Sequence, residues 1–259
     1  MNKRQLLMAS CVLALGLGMT SCVTKWETSK LAPGEQITEN RGLKGFETIR
    51  INGSPTVYYT QADSFSVVVK GPKNIVADIL TEVEDKQLTV RNRGKIGVLN
   101  ISVFDDDEVG VYVTSPDLTA LHLNGSGDFE ASERVDTDNM SIVLRGSGDV
   151  NFEDIICDHC TTELIGSGDI EIDRLEAQTS DVSLIGSGDI KMKQWNVQTT
   201  GVALKGSGDI TIDFVKDCRS ANAQLTGSGD ITLKGHLGQY KGQKRGSGDI
   251  DTQKLSVEK

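Results

Sequence analysis

One tetrapeptide governs what this chain can become. Gly-Ser-Gly-Asp begins at Gly125, Gly146, Gly166, Gly186, Gly206, Gly227 and Gly246, at successive spacings of 21, 20, 20, 20, 21 and 19 residues. Self-similarity at a fixed period of this length marks a solenoid, in which each repeat is one coil stacked on the last. Between the tetrapeptides the apolar period is two. Around Gly186, Val182, Leu184, Ile190 and Met192 fall on one parity and Ser183, Ser187, Asp189 and Lys191 on the other. That is strand alternation, with one face buried and one wet. Parity then shifts, because Trp195 and Val197 lie on odd positions. A coil therefore holds at least two short strands and two corners.

The first glycine of each tetrapeptide and the second (Gly127, Gly148, Gly168, Gly188, Gly208, Gly229 and Gly248) are predicted at a tight corner, pointing inward where no side chain fits. The following aspartates, Asp128, Asp149, Asp169, Asp189, Asp209, Asp230 and Asp249, are placed to bind nearby amides and hold the bend. Stacking at ~4.8 Å predicts buried columns Leu164, Leu184, Leu204, Leu225 and Ile170, Ile190, Ile210, Ile231. In the last coil Gly242, Lys244 and Thr252 replace apolar residues, as expected of a polar terminal cap.

Four segments follow. Residues 1–21 read as a lipoprotein signal peptide: Lys3 and Arg4 precede an apolar run, Leu6–Leu17, too short to span a bilayer. The run ends in Met-Thr-Ser-Cys, which resembles a bacterial lipobox with Cys22 as the acylated residue. Residues 22–44 are polar and aperiodic, a flexible tether to the membrane lipid. Residues 45–124 alternate without a clean period and read as an irregular β lobe, with a short helix at 74–81 and a degenerate corner at Asn52-Gly53-Ser54-Pro55. Residues 125–259 form the seven-repeat solenoid. The fold class is all-β, a β-helix-like solenoid with an irregular N-terminal lobe, in the cell envelope at the outer membrane, facing outward or into the periplasm.

The segments Phe46–Lys70, Gln87-Leu-Thr-Val and Val111–Leu118, followed by the Gly-Ser-Gly-Asp ladder, resemble the head GIN domain family of auto-transporter adhesins. The resemblance covers residues 46–259. It implies an exported Gram-negative protein of pectin-lyase-like shape acting in adhesion. The family has no agreed catalytic residues, so none carries over.

Candidate chemistry is thin. A formal charge of −10, or −12 once Lys3 and Arg4 leave with the signal peptide, argues against a nucleic-acid binder. Stacked aspartates repel by ~0.9 kcal/mol per neighbouring pair even in bulk water, so the Asp column has two readings: carboxylates satisfied by amides, or calcium ligands. Calcium-binding β-rolls use a shorter repeat of different spacing, which favours the first. Cys157-Asp158-His159-Cys160 has redox or zinc spacing but too few ligands for structural zinc. A Cys157–Cys160 disulfide stays open, whereas Cys218 lies three coils from Cys157, ~14 Å away and beyond bridging reach. Asp105-Asp106-Asp107-Glu108 reads as a solvated turn, with calcium or glycosidase chemistry as the alternative. His122 falls at outward parity. No catalytic residue and no cofactor is predicted, and nothing specifies an oligomeric state. The leading function is non-enzymatic binding of a glycan or protein at the cell envelope. The alternatives are a β-helical polysaccharide lyase or hydrolase, and a calcium-stabilised binding module.

Overall fold

The computed structural model describes residues 35–94 and 109–258. The lipobox with Cys22, the tether as far as residue 34 and the acidic run Asp105–Glu108 lie outside the described residues. The rest is a β-solenoid of about seven turns. Successive coils pair in parallel at the expected register: Leu164 lies on Leu184, Leu184 on Leu204 and Leu204 on Leu225. Ile170, Ile190, Ile210 and Ile231 stack in the same way. Every member of both columns is buried, so each coil contributes one thin layer to a continuous core.

Each coil has three walls, one more than the minimum expected. Along Asp149–Gly166 the burial alternates, then two outward residues occur together at Glu153-Asp154 and again at Asp158-His159. Each doubled outward position turns the chain by one corner, and the Gly-Ser-Gly bend supplies the third. The first wall follows each Gly-Ser-Gly-Asp and the third wall precedes the next one.

The glycines are required for a different reason from the inward crowding expected. At Gly186 (φ +145°) a Cβ would strike Gly166 O of the preceding coil, and at Gly188 it would strike Gly168 O. The missing side chains point along the stacking axis. Their absence lets two backbones approach until Gly166 O accepts both Ser187 N–H (2.9 Å) and Gly188 N–H (3.3 Å). Gly186 also needs its positive φ, which an L side chain rarely adopts. This corner begins a coil earlier than the tetrapeptide: Gly53 lies under Gly125, and Gly53 O accepts Ser126 N–H and Gly127 N–H.

The N-terminal region builds coils in an order that differs from the sequence. On the third wall Thr48–Gly53 is sandwiched between Gln87–Asn92 and Ala120–Gly125. On the first wall Val57–Gln61 lies between Gly110–Ser115 and Phe129. Antiparallel strands then close this end: Ser66–Pro72 pairs Gly110–Ser115, and Ile79–Glu84 pairs Gln87–Asn92. The helix spans Lys73–Asp78, shorter than expected, and covers the end of the core with Ile75 and Val76. Part of the segment expected as a tether belongs to the fold instead. Gln36–Asn40 is a strand paired antiparallel with Ser66–Pro72, and Arg41 Nη2 donates to Val76 O (2.8 Å) and Ile79 O (3.2 Å) at the helix end. Otherwise unpaired strand edge and helix carbonyls gain partners there, which a free linker would leave to water.

At the other end the polar replacements take the register positions of the apolar columns. Lys244 lies in register with Leu225 and Gly242 with Ala223, and Thr252 lies in the outermost strand, Ile250–Val257. Lys244 Nζ meets Asp249 Oδ1 at 2.5 Å. One polar cluster interrupts the core in mid-stack. Gln194 Nε2 donates to Ser180 Oγ (2.9 Å), and Thr200 Oγ1 donates to Gln194 Oε1 (2.7 Å), all three residues being buried.

Candidate functional site: the acidic first wall and the ladder beside it

The outward side chains of the first wall form three columns along the axis. The first is the aspartate column. Its carboxylates satisfy backbone amides, but of the next coil rather than their own. Oδ1 of Asp128 accepts Asp149 N–H (3.1 Å), and the relation repeats at Asp149–Asp169 (3.3 Å), Asp169–Asp189 (3.0 Å), Asp189–Asp209 (3.2 Å), Asp209–Asp230 (2.9 Å) and Asp230–Asp249 (2.7 Å). The Asp249 carboxylate pairs with Lys244. Partial burial, with the charges of Asp128 and Asp169, pushes the Asp149 carboxyl above its ordinary value. Among the described residues no group of three or more His, Cys, Asp or Glu side chains is placed to hold a metal ion. The ladder's visible chemistry is acceptance of amides.

The second column runs Glu130, Asn151, Glu171, Lys191, Thr211, Thr232 and Asp251. The third includes Asp173, Lys193, Asp213 and Lys234. Shallow grooves of about 150, 240 and 160 Å³ lie between the columns, and Glu171 lines all three. Lys193 Nζ meets Asp173 Oδ1 at 2.6 Å, which raises the lysine's proton affinity. The surface is hydrophilic, mostly acidic, and repeats its donors and acceptors once per coil.

Beside it, at the corner of the first and second walls, lies a network that the sequence reading missed. Asp154 faces Arg134 (2.8 Å) and Arg174 (3.4 Å), and Arg174 also bonds Glu176 (2.7 Å). The Arg174 guanidinium lies 4.8 Å from the centre of the Trp195 ring. Glu176 accepts from Asn196 (2.6 Å), and that bond, followed by Arg174, holds its carboxyl below the ordinary range. The signal was legible. Partners recur at a separation of 20 residues: Arg134–Asp154, Asp173–Lys193, Glu176–Asn196 and Asp158–Gln178. In a 20-residue solenoid that spacing puts side chains on adjacent coils, as i, i+4 does on a helix.

His122 is half-buried rather than fully exposed, and burial, with Arg50 and Arg145 nearby, lowers its pKa. Cys157, Cys160 and Cys218 are buried free thiols. Cys218 Sγ donates to Gln194 O and Lys216 O.

A parallel solenoid with antiparallel strands at its N-terminal end and a hydrophilic repeating wall is an architecture for presenting surface. The chain belongs to the family described as "Putative auto-transporter adhesin, head GIN domain", whose pattern matches residues 45–217. A crystal structure of a "putative adhesin" from Bacteroides fragilis NCTC 9343 superposes with a TM-score of 0.74 at 27% identity, over 84% of this chain and 97% of that one. Two proteins of Parabacteroides distasonis ATCC 8503 share the fold. One is a "putative adhesin" (TM-score 0.65, 18% identity, covering 84% and 96% of the two chains). The other is a "putative lipid binding protein" (0.62, 22%, covering 86% and 97%). No curated protein matches the chain.

Proposed function

We propose that the protein is a non-enzymatic adhesin of the cell envelope, lipid-anchored through Cys22 at the outer membrane, that binds a glycan or protein along its first wall. One observation carries the reading: the grooves around Glu171 are open and shallow, and they run across several coils instead of converging on one cavity. An extended ligand meets carboxylates, amides, hydroxyls and ammonium groups at the coil spacing of ~4.8 Å, while these grooves do not enclose a small substrate as a usual ligand pocket does. A polysaccharide lyase or hydrolase needs acids gathered with Arg or Lys in one groove, whereas here acids are distributed along columns. The lipobox supports the anchor and membership of an adhesin family supports the role.

Two measurements test this. A glycan array and a panel of matrix proteins are probed with the mature domain, alongside a Glu171→Lys, Asp173→Lys double variant. Binding that falls at least tenfold in the variant supports the first wall, while unchanged binding moves the site elsewhere. Mass spectrometry of the N-terminal peptide from cells should find acylated Cys22; an unmodified, soluble mature chain would refute the anchor.

A further inference from the structure

The mid-solenoid thiols Cys157 and Cys160 have no part in the proposed adhesive surface. They lie on the strand Asp149–Gly166, on either side of the exposed corner Asp158-His159, and both side chains turn inward. Cys157 is 8% exposed and Cys160 1%. Each thiol is the other's strongest electrostatic neighbour: the interaction first, and burial second, pushes the Cys160 thiol well up, while the same interaction draws the Cys157 thiol down. The more accessible sulfur is thus also the more readily ionised one, the arrangement expected of an attacking thiol beside a resolving thiol. The neighbouring coil shows what the same corner looks like without this chemistry. Cys157 is in register with Ala177 and Cys160 with Ser180, so packing alone is served there by a methyl group and a hydroxyl.

We propose that Cys157 and Cys160 are a redox-active dithiol, a covalent modification site that closes to an intramolecular disulfide across the Asp158-His159 corner. The oxidant is a disulfide, either a small molecule or the active-site disulfide of an oxidoreductase. The Cys157 thiolate attacks one oxidant sulfur, forming a mixed disulfide and releasing the other half as a thiol. Cys160 loses its proton and attacks Cys157 Sγ, forming the intramolecular bond and releasing the second oxidant thiol. Two protein thiols are oxidised and one external disulfide is reduced to two thiols. The site needs no lipid anchor and no ligand, so it stands or falls apart from the adhesive reading.

The test uses the mature protein treated with oxidised glutathione, with mass spectrometry, peptide mapping and thermal melting as readouts. The expected product is about 2 Da lighter, with the bond mapped to Cys157–Cys160. Closing so short a loop raises Tm by roughly 4–7 °C. The protein's own repeats supply tolerated controls: Cys157→Ala copies Ala177 and Cys160→Ser copies Ser180. Each should fold and lose both the mass change and the Tm gain, whereas Cys218→Ser should keep them. A wild-type protein that stays reduced, or a bond mapped to any other pair, overturns the proposal. So does a Tm gain that survives in Cys157→Ala.

Discussion

The two ends of this solenoid differ in how they are closed, and the middle differs from both. From Gly125 onward each coil rests on its predecessor in sequence, glycine on glycine and aspartate on aspartate. Before Gly125 the coils are laid out of order and finished by antiparallel strands and the helix Lys73–Asp78. The C-terminal coil differs by substitution alone: Gly242 and Lys244 stand where apolar residues stand one coil earlier, and Lys244 pairs with the Asp249 carboxylate of the aspartate ladder. Regular repetition suits the middle, where every residue has a like neighbour above and below. An end has a neighbour on one side only, so it needs either different topology or different composition.

Glycine substitutions should break this contrast most sharply. Gly188→Val places a branched side chain against the Gly168 carbonyl, where only separation of the coils relieves the clash. The expected cost is about 3 kcal/mol or more, read as loss of the cooperative melt or early hydrogen exchange in the adjoining coils. Ser187→Ala, in the same tetrapeptide, removes an exposed hydroxyl and should cost ~0.5 kcal/mol or less. Gly45 lies in the N-terminal region with positive φ (+81°) and nothing within 4 Å of a Cβ. Gly45→Ala therefore carries only the left-handed strain of ~1–2 kcal/mol. Equal effects at Gly188 and Gly45 would mean that coil-to-coil approach is not what demands the glycines.

The buried polar cluster gives a middle-sized effect confined to the repeats. Gln194→Leu leaves the Ser180 and Thr200 hydroxyls without their core partner, at ~1–3 kcal/mol for each group stranded. The triple replacement Gln194→Leu, Ser180→Ala, Thr200→Val should recover most of that loss in chemical denaturation. Failure to recover would show that the amide matters for more than hydrogen-bond satisfaction, for instance in pinning the register.

The smallest effects come from acid titration, and they carry opposite signs. Asp149's folded pKa lies above its ordinary value of 3.8, so its contribution to stability is fully present below 3.8 and is lost as pH rises through the folded value. Asp149→Asn should stabilise slightly at pH 7, by ~0.5 kcal/mol or less, because the amide oxygen can still accept Asp169 N–H. Glu176's folded pKa lies below 4.5, so its contribution is present above 4.5 and is lost as pH falls through the folded value. Glu176→Gln should therefore destabilise at pH 7 and have no effect in strong acid. Parallel pH–stability curves for the two variants would contradict the assignment of one carboxyl to repulsion and the other to pairing.

Much of the protein was legible in the linear order of its residues, for a reason specific to stacked coils. A period of about 20 and a parity of two specify which side chains lie above one another, so the leucine and isoleucine columns, the aspartate ladder and the polar last coil could be read without coordinates. The direction of the missing glycine side chains could not. Parity distinguishes inside from outside, whereas Gly186 and Gly188 make room along the axis, and that third direction exists only once coils are stacked. The donors that satisfy the aspartates were hidden likewise, because each amide belongs to a residue about 20 positions away and is brought near by register alone. The Arg134–Asp154–Arg174–Glu176 network lay in plain view at that same separation, but only a known coil length makes the separation mean contact. The order of the N-terminal coils was undetermined by pattern, since Thr48–Gly53, Gln87–Asn92 and Ala120–Gly125 carry the same alternation, and only their pairing across the third wall decides which lies between the other two.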